Sequence, residues 1–196
     1  MFVQQHNNNN NMIVNPLRLV TDGIITHPDC TSLDDWRERK FISPNAIDFD
    51  VVRAFVVTPW NASRSFCIAK TGVAQHHHLT ELDPIEQDGV QYFVIPPRSC
   101  VDFMSNLFTT IPAGMCATLI VRSSLNRNQM FITSGLYDQG FSGNVAGILH
   151  NRSDSTALIE VGARIGQIVF HESQDSQVMY GGGYSTAAGV HWASQQ

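Results

Sequence analysis

In the stretch SGLYDQGFSGNVAGILHN (134–151) a single carboxylate, Asp138, lies between an aromatic and a Gln-Gly pair, with Phe141 three residues on. A carboxylate within hydrogen-bond reach of a water molecule can orient it and accept its proton. Glycines at 140 and 143 let the backbone turn tightly and approach a ligand. An Asp-x-Gly turn between two strands would use the same residues for backbone reasons alone. Upstream, Arg122, Ser123 and Ser124 close an apolar run. A turn there presents a guanidinium, two hydroxyls and successive N–H groups, which suits a phosphate. An internal salt bridge, with the serines capping a helical turn, would account for the same residues.

Gln167 interrupts the apolar run RIGQIVF. A buried amide needs partners, because leaving it unpaired costs about 1–3 kcal/mol, whereas at a strand edge it would face solvent. Asp48 and Asp50 in NAIDFDV fall on one face if the segment is a strand. Paired acids of that kind hold Mg2+ through water or pair with a cation such as Arg53, and Asp50 is given no further role.

The elements that must position these groups are mostly strands. FDVVRAFVV (49–57), QYFVI (91–95), MCATLIVR (115–122), NVAGILH (144–150) and RIGQIVF (164–170) are short, rich in β-branched and aromatic residues, and bounded by Gly, Pro, Asn or Ser. Without long helices between them they predict an all-β sandwich or jelly roll. Residues 29–40 read as one short N-terminal helix, capped by Thr31 or Ser32, with acids at its start and basic residues at its end. Residues 61–86 predict a hairpin plus a surface loop, with His76, His77 and His78 exposed in that loop. The Asn-rich residues 1–11 predict disorder, residues 12–179 a single β domain, and the glycine-rich residues 180–196 a C-terminal arm.

Composition sets the outer limits. The 196 residues are 43% hydrophobic and 15% charged, enough for a core that buries about 70% of the unfolded surface. Four scattered cysteines without a CxxC pair predict reduced thiols in a cytoplasmic setting. A net charge of −5 without a basic cluster argues against a nucleic-acid partner. No apolar run spans a membrane, and MFVQQHNNNNN lacks the basic and apolar regions of a secretory signal.

Four patches in order, SPNAIDFDV (43–51), VRSSLNR (121–127), the Asp138 stretch and GARIGQIVF (162–170), together with the glycine-rich tail, resemble the dUTPase and dCTP deaminase superfamily. The resemblance implies a distorted jelly-roll (β-clip) homotrimer acting on a deoxynucleoside triphosphate with Mg2+, its sites between subunits. It implies that Asp138 orients the attacking water and that Phe141 packs on the deoxyribose. Arg122, Ser123, Ser124, Arg127, Gly135 and Gln167 would contact substrate, Gln167 at the α-phosphate. Tyr184 would stack on the base from the closing arm, and Asp48 would be a buried acid supporting the site. Mg2+ would be held by phosphates and water.

Within that superfamily the deaminases carry a glutamate ten residues beyond the Asp138 position. Ile148 stands there, and isoleucine cannot transfer a proton. The expected activity is therefore dUTP hydrolysis to dUMP and pyrophosphate. The alternatives are an enzyme acting on dCTP, since SPNAIDFDV and Arg127 look deaminase-like, or an inactive nucleotide-binding regulator. The interval from Arg122 to Asp138 is a residue or two short for the family, and no arginine follows Arg164 to meet a γ-phosphate.

Overall fold

The computed structural model describes residues 13–58, 68–70, 72–73, 78–174 and 177–182. The chain opens with α1 (Pro16–Thr21), β1 (Ile25–Thr26) and α2 (Leu33–Glu38). Strands β2 (Ile42–Ser43), β3 (Ala46–Asp50) and β4 (Arg53–Thr58) follow, then β5 (Ile68–Ala69), β6 (Gly72–Val73), β7 (His78–Glu81), β8 (Ile85–Gln87) and β9 (Val90–Ile95). Next come the long β10 (Ser99–Thr110), β11 (Met115–Val121), the single-turn α3 (Ser123–Arg127) and β12 (Met130–Thr133). The strands β13 (Ser142–Asn151), β14 (Ala157–Glu160) and β15 (Arg164–Glu172) complete the series.

All strand pairs among the described residues are antiparallel. One sheet runs β12-β13-β10-β4-β7, with β1 also on β10, and a second runs β11-β15-β3-β2. They share one apolar core, in which Phe49 of β3 stacks on Phe103 of β10 at 5.5 Å and 6°. Gly166 makes room for this stack, because a Cβ there would collide with the Phe49 ring. The result is mostly β and jelly-roll-like, as the sequence predicts.

Three local readings change. The expected strand 49–57 is two strands in two sheets: the Val51 N–H goes to Ala163 and the Val52 N–H to Met104, so the chain changes sheet between them. The expected helix 29–40 contracts to α2, where Ser32 and Asp35 form a capping box, and it is joined by two further short helices. β10, the longest strand, carries polar Ser105 and Thr109 at inward positions, which breaks the apolar alternation that would announce it. Both are satisfied internally, Ser105 by the Asp50 carboxylate and Thr109 by the Ile24 carbonyl.

His78 lies in β7 rather than in a loop, and β5–β6 forms a hairpin within residues 61–86. His76, His77, the Asn-rich start and the arm from residue 183, including Tyr184, lie outside the described residues. Cys30, Cys100 and Cys116 are free thiols, and burial pushes Cys30 up to about 11. No helix among the described residues is long and apolar enough to cross a membrane.

Candidate functional site

One row across the four-stranded sheet aligns Ile120, Gln167 and Asp48 on the adjacent strands β11, β15 and β3. Asp48 is only 2% exposed, so its charge needs partners, and it has four. Arg164 reaches its Oδ2 at 2.9 Å and Arg122 at 3.4 Å, while Ser43 and the Gln167 amide donate to Oδ1 at 2.9 and 2.8 Å. The same amide donates to the Ser43 hydroxyl at 3.0 Å, which closes a triangle. Arg164 also donates to the Lys40 carbonyl.

One carboxylate between two guanidiniums leaves a surplus positive charge. The Arg122 side chain is 32% exposed, so its fork remains accessible to an anion. Arg122 sits at the mouth of α3, with Ser123 and Ser124 exposed beside it and Arg127 exposed one turn on. The ion-pair reading of Arg122 thus holds together with an accessible guanidinium, whereas the serines do not cap the turn: they lie within α3, whose N-cap is Arg122 without a side-chain cap bond. The amide of Gln167 gives its hydrogens to Asp48 and Ser43, so in this conformation Gln167 braces the acid that braces Arg122.

Asp138 lies on a separate turn. Its carbonyl accepts the Phe141 N–H at 3.1 Å, Gly140 takes a φ of +85°, and the acid's side chain is exposed. Tyr137 anchors the turn: its main chain bridges Ala117 of β11, and its buried hydroxyl donates to the Ala146 carbonyl at 2.7 Å while accepting the Ala146 N–H at 2.9 Å. Burial pushes that phenol up to about 12. Phe141 is buried edge-on between Tyr137 (4.9 Å) and Tyr180 (5.6 Å). Gly135 is exposed with open space around it.

The two groups do not meet within one chain. Ala117, beside the Asp138 turn, and Arg122 are five strand residues apart, about 16 Å.

Asp48 and Asp50 do not share a cation, and Arg53, the other partner the sequence offered, pairs with Glu81 at 2.6 Å. Asp50 turns to the other sheet, where it takes the Ser105 hydroxyl, the Asn106 N–H at 3.1 Å and His27 Nε2 at 3.3 Å. The Asp29 N–H donates to His27 Nδ1 at 3.2 Å, which turns the Nε2 edge of the ring toward Asp50. Burial works against the Asp50 charge, but hydrogen bonds from His27 and Ser105 outweigh it and hold the carboxyl below its usual value. Both acids are therefore engaged by donors, and neither fits as a resident metal ligand. Sequence reasoning missed this second buried cluster because its members lie far apart in the chain.

Ile148 on β13 pairs directly with Asp102 of β10 on one side and with Thr133 of β12 on the other. Asp102 also pairs with Phe55, so a half-buried carboxylate stands between two apolar neighbours, and burial raises its pKa. Its position was not singled out in the sequence, where it is one acid in an unrecognised strand.

The dCTP deaminase-like family model matches residues 22–173. Curated dCTP deaminases of Pyrobaculum islandicum and Pyrococcus horikoshii are 28% and 30% identical over 97 and 95 residues. These matches cover 50% and 48% of this chain and 54% and 60% of the relatives. The chain thus spans about half the length of the curated relatives it matches. The 2′-deoxycytidine 5′-triphosphate deaminase of Agrobacterium tumefaciens shares the fold, with a TM-score of 0.59 at 17% identity, over 82% of this chain and 48% of that one.

Proposed function

The chain belongs to the dCTP deaminase-like family, and from that premise we propose that it is a deoxynucleoside triphosphate diphosphohydrolase, converting dUTP and water to dUMP and pyrophosphate. Asp138 holds the water and accepts its proton as the oxygen attacks the α-phosphorus. The bond from that phosphorus to the bridging oxygen breaks, and pyrophosphate leaves. Arg122, oriented by Asp48, takes a phosphate with the Ser123 and Ser124 hydroxyls, and Arg127 and Gly135 lie on the nucleotide side. Gln167 reaches the α-phosphate only by exchanging one of its present bonds. Phe141 offers the sugar a flat apolar edge, and Tyr184 closes over the base. The triphosphate oxygens and water would hold Mg2+, which would offset the phosphate charge during attack.

The separation of Asp138 from Arg122 supports sites shared between copies, and we propose a homotrimer in the cytoplasm, with neither nucleic acid nor membrane as partner. The observation that carries the hydrolase reading is Ile148, where a deaminase of this fold needs a proton-transferring carboxyl.

A second reading has its own observation. Asp102 stands directly across from Ile148 on the same face of the sheet, a half-buried carboxyl on the neighbouring strand. If it serves the base, the substrate is dCTP. Purified protein with Mg2+ and dUTP, dCTP or dTTP, scored for pyrophosphate and for the product base, separates the readings. Pyrophosphate from dUTP, lost by at least ~10²-fold in Asp138→Asn, is the expected result. A uracil product from dCTP, abolished in Asp102→Asn, would replace it with the second reading. Binding without turnover of any nucleotide would leave an inactive regulator.

A further inference from the structure

Gln139, the residue after Asp138, is only 6% exposed and makes bonds in two directions. Its Oε1 accepts the Gly114 N–H at 3.0 Å, and its Nε2 donates to the Val178 carbonyl at 2.8 Å. Its main-chain carbonyl accepts the Tyr180 N–H at 2.8 Å. Gly140 is the second point of contact: a Cβ there would lie 3.0 Å from the end of the Met179 side chain and 3.1 Å from the Tyr180 nitrogen. The Tyr180 ring then meets Phe141 edge to face. Residues 178–180 therefore lie directly on the turn that carries Asp138.

How this segment is held matters. Val178 and Met179 are 70% and 56% exposed, so apolar burial of their side chains does little to fix them. Two hydrogen bonds to Gln139 and the Tyr180–Phe141 ring contact join the segment to the turn, and Tyr180 packs on the edge of the core. A peripheral segment that buries few apolar side chains opens at less than the global unfolding free energy. On the other side, Gly114 and Ile111 fasten the same turn to the body of the fold, the latter through Gly140 N–H at 2.8 Å. Gln139 is the residue in which both attachments meet.

We propose that Gln139 is a positioning residue that couples docking of residues 177–182 to the geometry of the Asp138 turn. When the segment leaving β15 is down, the turn is clamped from both sides. When it lifts, the turn keeps only its inner attachment. This rests on the reading of Asp138 as the water-orienting base, and it places the control of that base in the C-terminal segment rather than in the substrate alone.

The test uses the full chain and two variants. Gln139→Glu keeps the acceptor for the Gly114 N–H and replaces the donor to Val178 with a second oxygen. Gln139→Met keeps the length and removes both side-chain bonds. Amide hydrogen exchange is followed at Tyr180, Gly140 and Phe141, alongside kcat and the Kd of a non-hydrolysable dUTP analogue.

In Gln139→Glu, exchange at Tyr180 and at Phe141 should rise together by at least about tenfold, the loss expected when a donor is replaced opposite a carbonyl. The kcat should fall by a similar factor, with analogue Kd changed less than threefold and the thermal transition near that of the wild type. Gln139→Met should show the same joint rise.

Faster exchange at Tyr180 with Phe141 unchanged would overturn the coupling. Unchanged exchange at both would overturn the latch. A joint rise with kcat unchanged would show that the turn does not control the base, again overturning the proposal while the hydrolase reading stands. If the wild type turns over no nucleotide, the reading of Asp138 fails, and the exchange data alone then decide whether the clamp exists.

Discussion

Gln167 stands directly across from Asp48 in the antiparallel ladder, and its amide donates to the carboxylate at 2.8 Å. The pair fixes the acid on which Arg122 and Arg164 converge. The charge there is thus set by two guanidiniums held on one buried carboxylate.

Asp48→Ala removes the acceptor for two guanidiniums, an amide and a hydroxyl. Breaking a buried ion pair from one side costs about 3–5 kcal/mol. Urea unfolding should show a loss in that range, and a loss below about 1 kcal/mol would mean that water replaces the carboxylate without penalty. In the milder Asp48→Asn, nucleotide affinity should fall at least ~10-fold through misplacement of Arg122, measured by calorimetric titration.

Asp50 gives a pH-dependent contribution of known sign. Its folded pKa lies below the unfolded value of 3.8, so its stabilising effect is present above 3.8 and disappears as pH falls through the folded value. Asp50→Asn should therefore be less stable than the wild type at pH 7, with the two converging in strong acid. Parallel stability curves across that range would contradict the assignment.

Asp102 has the opposite sign. Burial raises its pKa above 3.8, so ionising it opposes folding, and wild-type stability falls as pH rises from 3.8 through the raised value. Asp102→Asn should lack that decline and melt at least as high as the wild type at pH 7. A lower melting temperature at neutral pH would point to a charged partner for Asp102.

Truncation before Gly181 keeps Val178 and Tyr180, which make the bonds to Gln139, and removes the glycine-rich arm. Turnover should fall at least ~10-fold, as loss of a closing element implies, while the melting temperature shifts by no more than a few degrees. A chain that no longer folds would make the arm a structural element.

Much of this protein was legible in one dimension. Short β-branched runs predicted β9, β11, β13 and β15, because a strand half-buried in a sheet needs those side chains locally. The ordered patches around Arg122, Asp138 and Gln167 pointed to the superfamily, and Ile148 was visible by counting. What could not be read were the features in which a polar residue finds its partner far along the chain. β10 was hidden because Ser105 and Thr109 sit at inward positions, tolerable only when Asp50 and the Ile24 carbonyl receive them. The strand expected over 49–57 breaks in two because Val51 and Val52 bond to different sheets. The partners of Asp48 lie as much as 119 residues away, and Asp102 meets Ile148 only through strand register. Sequence determined which residues could form strands and which could do chemistry. The tertiary structure alone decided which charges are neutralised and which remain available, because that depends on long-range register and on burial.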